Sequence, residues 1–114
     1  MVTQQFRARS IVLGLVIWCT ALPQVHAVQP EPHEILIQGF MFRPASTTIQ
    51  VGESVIWTNK DDEPHTVSSD TGLFRSSALD TDETFTFRFD KPGIYHFICS
   101  IHPRMTGMII VREH

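Results

Sequence analysis

Three residues with metal-binding side chains lie at even spacing near the end of the chain. Cys99, His102 and Met105 follow one another in three-residue steps. In a tight loop, such steps can turn three side chains towards one point. A fourth metal-binding side chain, His65, directly follows Pro64, where the chain leaves a polar loop. Together these residues offer one thiolate, one thioether and two imidazoles to a single metal ion.

Copper is the metal that this ligand set favours. Soft sulfur ligands select Cu(I), and imidazole suits copper in both of its oxidation states. Two histidines and one cysteine in a trigonal plane, with a weak axial methionine, are typical of blue-copper sites that transfer electrons. The residue types therefore predict one type 1 copper ion. Each residue taken alone has an ordinary alternative, namely a buried inert thiol, a surface histidine or a methionine that fills the core.

Residues 1–27 have the three-part pattern of a secretory signal peptide. Two arginines give a positive start, residues 11–22 form an apolar run, and a small-residue cleavage pattern ends at Ala27. The apolar run has about 12 residues, whereas a membrane-spanning helix needs about 20, so an uncleaved membrane anchor is the less favoured alternative. We therefore expect a mature domain of residues 28–114 in the periplasm, without a membrane span.

The mature segment contains a single cysteine, Cys99. Cysteines of small secreted domains usually pair as disulfides, but one thiol cannot form a bridge within its own chain. Cys99 is therefore a buried inert thiol, an intermolecular link or a metal ligand. Because an unprotected thiol in an oxidising compartment is prone to oxidation, metal ligation is the role to test first.

Charge and motif content exclude several functional classes. Residues 28–114 contain 7 lysines and arginines against 12 aspartates and glutamates, a net charge of −5. An acidic surface disfavours nucleic acid as a partner, because phosphate repels it, but it permits a basic protein partner. No Ser-His-Asp arrangement or pair of carboxylates has catalytic spacing, so an enzyme is not predicted.

Alternation of apolar and polar residues dominates the mature chain, and no long helical pattern is present. About seven strands are predicted, around residues 35–42, 48–51, 54–59, 65–67, 84–89, 94–99 and 107–111. Residues 69–82 are rich in Ser, Thr, Asp and Gly and predict a long surface loop with Phe74 pinned beneath it. The pattern favours an all-β, antiparallel Greek-key sandwich. Tyr95, just after a Pro-Gly turn, is placed for a tyrosine corner, in which its hydroxyl bonds to upstream backbone.

At these residues the chain resembles the cupredoxins (small blue copper proteins), and among them the amicyanins more than plastocyanin or pseudoazurin. The resemblance covers residues 35–112. It rests on Phe40, Phe42, Pro44, Ile49, Val51, Gly52, Val55, Trp57, Asn59, Pro64 to Val67, Phe85, Phe87, Pro92, Gly93, Tyr95, Phe97 and the ligand loop. It implies a β-sandwich with one copper ion, whose ligands are His65, Cys99, His102 and Met105. The two residues between His102 and Met105 match the short ligand loop of amicyanin.

Three positions need separate treatment. Thr66 stands where many cupredoxins have an asparagine that bonds the copper-bound sulfur; a hydroxyl or the backbone amide can substitute for it. Arg104 stands where amicyanin has an aromatic residue near its docking face, so the resemblance does not extend to a particular partner. Met108 is a rival axial ligand, but its position in the last predicted strand favours Met105.

The function predicted from these residues is outer-sphere electron transfer. Redox proteins are expected to dock near His102, whose ring edge should reach the surface within an apolar collar of Pro64 and Pro103, and the protein itself is expected to be a monomer. A copper carrier or storage protein would use the same ligands and is the alternative. A zinc-binding or metal-free sandwich with a purely structural role is a further alternative. A multicopper oxidase is disfavoured, because Ile98 and Ser100 flank Cys99 where such enzymes have histidines.

Overall fold

Two four-stranded sheets make up the folded part of the protein, in a computed structural model that describes residues 10–114. The eight strands are β1 (His33–Ile37), β2 (Phe42–Arg43), β3 (Ser46–Gln50), β4 (Ser54–Asn59), β5 (Ser68–Ser69), β6 (Thr84–Arg88), β7 (Gly93–Ile98) and β8 (Thr106–Arg112). The first sheet has the order β2-β1-β4-β6 and the second has the order β3-β8-β7-β5. The predicted all-β sandwich is therefore confirmed.

Strand pairing is mixed, which corrects the prediction of antiparallel sheets. β1 pairs in parallel with β4, and β3 pairs in parallel with β8, while the other pairs are antiparallel. The parallel pairs arise because the chain changes sheets: β3 lies in the second sheet, and β4 returns to the first sheet beside β1. Alternation predicts which residues face inward, but it carries no information on strand direction.

The predicted first strand region is divided into β1 and β2, which brings the number of strands in residues 10–114 to eight. The division falls at Gly39 and Phe40, whose φ angles are 63° and 55°. Such positive values turn the chain out of the extended conformation. The predicted strand at residues 65–67 is also displaced, since only His65 forms a bridge, with Leu79, and β5 follows it.

The core lies between the two sheets and is rich in aromatic rings. Trp57 on β4 and Phe97 on β7 are fully buried, with ring centroids 5.4 Å apart in an edge-to-face arrangement. Phe74, from the predicted long loop before β6, is buried, and its ring lies against Trp57. Gly107 on β8 is required by close packing: a Cβ atom there would lie 2.2 Å from the Phe97 ring. These contacts fix β7 and β8 against each other at the end that carries the predicted ligands.

Two polar residues hold the loops at the sandwich ends. Buried Asn59, the last residue of β4, donates from Nδ2 to the carbonyl oxygens of Glu63 and Leu79, both at 2.8 Å. Its Oδ1 accepts a bond from the Asp61 amide at 3.0 Å, so one side chain shapes the loop that leads to His65. The Tyr95 hydroxyl donates to the backbone carbonyl four residues upstream at 2.7 Å, which confirms the predicted tyrosine corner.

Residues 10–32 form neither helix nor strand, and the apolar side chains between residues 11 and 22 are exposed. Within the described residues, no helix has the length and apolar character needed to cross a membrane. Part of the predicted signal peptide, including its two arginines, lies outside the described residues. Its cleavage after Ala27 stays a prediction.

Candidate metal centre

Three of the predicted ligands come together at one end of the sandwich. Cys99 directly follows β7 and is fully buried. His65 is also fully buried, and its backbone is fixed to Leu79 by a pair of hydrogen bonds of 3.1 and 2.7 Å. His102 lies in the loop between β7 and β8 and is half-buried. Residues far apart in sequence thus present their ligand atoms to one point.

The ligand atoms of these residues form a triangle. The Nδ1 atoms of His65 and His102 are 3.1 Å apart, and each lies 3.8 Å from Cys99 Sγ. Metal bonds of about 2.0 Å to imidazole and about 2.3 Å to thiolate, as for zinc, would place trigonal ligands about 3.5 Å (N to N) and about 3.7 Å (N to S) apart. The observed triangle therefore fits a metal ion at its centre with only small adjustments.

Met105 belongs to the same loop and is buried, with 5% of its surface exposed. The Cys99 amide donates to the Met105 carbonyl at 3.1 Å, and the Met105 amide donates to the His102 carbonyl at 2.9 Å. These two bonds close the loop tightly, and the role of Met105 as the axial ligand stays a prediction. Met108 lies in β8 between two buried residues and is itself half-buried, so its side chain faces the outside of the sheet.

Asp61 orients the His65 ring. Its Oδ2 atom lies 2.8 Å from His65 Nε2, and because a carboxylate only accepts, Nε2 carries the proton. The unprotonated Nδ1 is thereby turned towards the centre of the triangle. Burial raises the pKa of the Asp61 carboxyl, but bonds from the Phe40 and Gly39 amides and from His65 outweigh it, so that the pKa lies below its ordinary value. Asp61 is therefore held as a carboxylate beside the site.

Thr66, at the position where many cupredoxins have asparagine, contacts the Cys99 sulfur through both its backbone amide and its side-chain hydroxyl. Its amide donates to Cys99 Sγ at 3.4 Å, and its hydroxyl lies 3.8 Å from the same atom. The hydroxyl also accepts a bond from the Ser100 amide at 2.7 Å and pairs with the Ser100 hydroxyl at 2.7 Å. Thr66 therefore joins the loop that carries His65 to the loop that carries Cys99 and bonds the sulfur.

Two residues of the site were not predicted from the sequence. Asp61 had one available signal, since it is an acidic residue four positions before a candidate histidine ligand, and ligand histidines commonly bond carboxylates. Phe40 had none, because the alternation over residues 35–42 predicts a strand at this position. Its ring instead packs edge-to-face on both His65 and His102, with centroids 5.1 and 5.0 Å apart.

Comparison with known protein families places the chain among copper proteins. A family model described as "Cupredoxin-like domain" matches residues 10–111, which is most of the sequence. The chain belongs to the cupredoxin family. Copper as the cofactor and single-electron transfer as the functional class, both predicted from the sequence, are confirmed by this membership and by the His-Cys-His cluster described above.

Individual relatives support the more specific resemblance. Amicyanin-alpha from Methylorubrum extorquens is 32% identical to this cupredoxin over 95 residues, which cover 76% of this chain and 80% of the relative. A solved structure entitled novel purple cupredoxin, from Nitrosopumilus maritimus, is 32% identical and superposes with a TM-score of 0.65. The match covers 70% of this chain and 99% of the other. The predicted likeness to amicyanin is confirmed.

An enzyme is also among the similar structures. The copper-containing nitrite reductase from Thermus scotoductus is 31% identical, with a TM-score of 0.73. The match covers 82% of this cupredoxin but only 25% of the reductase chain. The likeness therefore concerns one part of a larger chain, and it does not extend to the activity of the reductase.

Proposed function

We propose that this cupredoxin carries single electrons between redox proteins by means of one copper ion held by His65, Cys99, His102 and Met105. The observation that carries the proposal is the triangle of two Nδ1 atoms and one Sγ atom, with sides of 3.1, 3.8 and 3.8 Å. A thiolate and two imidazoles in this arrangement, together with a methionine from the same loop, are the ligand set of blue-copper centres.

The protein's own part is to keep these ligands in place. When bound, the copper ion supplies the one-electron couple between Cu(I) and Cu(II). Cys99 and His65 are fully buried at one end of the sandwich, and Asp61 and Thr66 hold the His65 ring and the Cys99 sulfur by hydrogen bonds. Because the distances between the ligand atoms already fit a metal ion at the centre of the triangle, the ligands need to move little when an electron enters or leaves.

The surface around His102 suits a brief encounter with a partner. Three apolar side chains in this region, Phe40, Met41 and Ile101, are 47%, 50% and 46% exposed. Weak redox interfaces are small, below about 1,200 Å², and an apolar patch of this kind excludes water from the contact. Asp62 and Glu63 are exposed just before the ligand His65, so we expect a basic partner to be steered towards this end. We expect the carrier to act as a monomer.

Export to the periplasm is also part of the proposal. The first strand begins only at His33, and residues 10–32 lie outside the sheets, which agrees with removal of residues 1–27. Mass spectrometry of the protein from a periplasmic fraction should give a chain that starts at Val28. A chain that retains the first 27 residues would contradict this part of the proposal.

We expect no catalytic activity. In residues 10–114, the only cluster of three or more His, Cys, Asp or Glu side chains with metal-binding geometry is the one formed by His65, Cys99 and His102. An oxidase with a second copper centre would need another such cluster. Oxidase and nitrite reductase assays of the copper-loaded protein should give no turnover above that of free copper.

Voltammetry separates electron transfer from copper delivery. A carrier of electrons should give a reversible one-electron couple and should keep its copper when mixed with an equimolar chelator. A copper chaperone using the same ligands should instead release its copper within minutes. Reversible voltammetry with retention of copper is the expected result, and rapid release would favour the delivery function.

A further inference from the structure

The loop between β1 and β2 lies directly over the two site histidines. The plane of the Phe40 ring stands at 89° to that of His65 and at 80° to that of His102. The two imidazoles are 4.9 Å apart, so the three rings pack against one another as a triangle. Edge-to-face contacts at these separations are attractive. Phe40 therefore holds both histidines from the solvent side.

The backbone of this loop has an unfavourable conformation. Gly39 and Phe40 have φ angles of 63° and 55°. Glycine adopts such values readily, whereas a bulky residue such as phenylalanine rarely does. Phe40 is also 47% exposed, so burial of its ring offsets only part of the free-energy cost of this backbone conformation. Contacts elsewhere must hold the residue in place, and strained residues of this kind concentrate at functional sites.

Asp61 provides those contacts. Its Oδ1 atom accepts the Gly39 amide at 2.7 Å, and its Oδ2 atom accepts the Phe40 amide at 2.9 Å. The same Oδ2 accepts His65 Nε2 at 2.8 Å, and the side chain is only 12% exposed. One carboxylate therefore fixes the strained loop and the buried histidine to each other.

The other sides of the site are closed. Cys99 and His65 are fully buried, and Met105 is 5% exposed, so neither sulfur nor the first histidine is open to solvent. His102 is the one half-buried member of the set, and Phe40 packs against it. The way to the ligand atoms that these contacts leave open runs past His102, where the Phe40 ring lies.

We propose that residues 39–41, the covering loop, control the exchange of copper and the entry of small ligands, with Phe40 as the barrier and Asp61 as the residue that locks it. The proposal rests on the copper site proposed above. It makes Phe40 and Asp61 positioning residues, which act by holding the histidines and by closing the path to them. A carrier that must keep its copper between encounters needs such a barrier on its one open side.

The rate of copper removal tests the proposal. The full chain is loaded with Cu(I), and bathocuproine disulfonate is added in excess while the coloured copper complex is followed. Phe40→Ala removes two ring contacts, each worth a factor of about two to ten in an equilibrium, so we expect removal to be about tenfold faster. Asp61→Asn should accelerate removal as well, and the double variant should be no faster than Phe40→Ala, because both changes open the same loop.

Leu73→Ala is the matched control, because Leu73 is 52% exposed and lies in the loop after β5, outside the site. Its copper should leave within twofold of the wild-type rate. A second readout uses azide and Cu(II)-loaded protein: the visible spectrum of Phe40→Ala should change at lower azide concentrations than that of the wild type. Removal rates for Phe40→Ala within twofold of wild type would overturn the proposal.

The metal-free protein gives an independent test of the lock. Amide hydrogen exchange of Gly39 and Phe40 should be slow in the wild type and at least about tenfold faster in Asp61→Asn, since the acceptor of both amides is weakened. Unchanged exchange would show that Asp61 does not hold the loop. A wild-type protein that fails to take up copper would refute the proposed function instead, and the two failures are therefore distinguishable.

Discussion

The metal site depends on a small number of side chains, each with a distinct task. His65, Cys99 and His102 supply the triangle of ligand atoms, and Asp61 decides which nitrogen of His65 faces it. The Thr66 amide donates a hydrogen bond to the Cys99 sulfur. Because these tasks differ, single substitutions should separate copper binding from the adjustment of its reduction potential.

The axial ligand is tested by a pair of methionine variants. Met105→Leu should retain copper and its colour, because an axial thioether binds weakly, but it should shift the reduction potential by more than about 20 mV, equivalent to about 0.5 kcal/mol. Met108→Leu is the control, since Met108 faces the outside of the sheet, and it should leave the potential unchanged. If Met108→Leu shifts the potential and Met105→Leu does not, the assignment of the axial ligand is wrong.

The Thr66 hydroxyl is expected to raise the reduction potential. A hydrogen bond to the thiolate makes it a weaker donor to Cu(II), so Thr66→Val should lower the potential. One hydrogen bond of about 0.5–1.5 kcal/mol corresponds to about 20–60 mV. Thr66→Ser keeps the hydroxyl and should remain close to the wild type. Voltammetry of both variants decides the point, and equal potentials for Thr66→Val and wild type would assign the whole effect to the backbone amide.

At the scale of strands and loops, contacts between sequence neighbours could be predicted, whereas contacts between distant segments could not. The approach of Cys99 and His102 was predictable because the two residues are only three apart in sequence, and this spacing limits how the loop can close. The hydrogen bonds from Asp61 to residues 39 and 40 were not predictable. They join segments more than 20 residues apart in sequence, and the alternation of apolar and polar residues does not show which distant segments meet. The division between β1 and β2 was missed for the same reason, because it falls at Phe40, which has a positive φ angle and whose amide bonds to the distant Asp61.

The contact between β7 and β8 predicts a severe effect for a small substitution. Gly107→Ala would place a methyl group 2.2 Å from the nearest atom of the Phe97 ring, which is far too close for van der Waals contact. Overpacking of this kind costs about 1–3 kcal/mol or more. Urea denaturation of the metal-free protein should therefore show a free energy of unfolding that is lower by at least about 1 kcal/mol. Thr106→Ala, on the exposed side of the same strand, should change stability by less than about 0.5 kcal/mol. Adding Phe97→Leu to Gly107→Ala should recover part of the loss, and no recovery would contradict the packing account.

The turn between β3 and β4 predicts a dependence of stability on pH. The Gln50 amide at 2.7 Å and His33 Nε2 at 3.0 Å bond Glu53 Oε2 and hold the pKa of Glu53 below 4.5. Since the folded pKa is the lower one, Glu53 stabilises the fold fully above pH 4.5, and the stabilisation is lost as the pH falls through the folded pKa. Glu53→Gln should therefore unfold at lower urea than wild type at pH 7, and the difference should shrink at pH 3. The exposed Glu31→Gln serves as control, and a difference that does not vary with pH would contradict this account.

At the scale of the whole molecule, the fold brings chemistry and recognition to one end. The proposed copper ligands lie at the end of the sandwich where Phe40, Met41 and Ile101 are exposed and where Asp62 and Glu63 add negative charge. The fold class was predictable from alternation and turn residues, but the direction of the paired strands and the closed lining of the site follow from how the sheets meet in space. The same separation applies to function: the sequence indicates copper and electron transfer, while the identity of the covering loop requires the structure.

The visible absorption spectrum of the purified protein loaded with Cu(II) tests the central claim most directly. Cys99 Sγ at 3.8 Å from both imidazole Nδ1 atoms predicts a trigonal thiolate site, and hence an intense charge-transfer band from sulfur to copper. Cys99→Ser should remove the band while the circular dichroism of the β-sandwich is preserved. A colourless protein, or a band that persists in Cys99→Ser, would contradict the account.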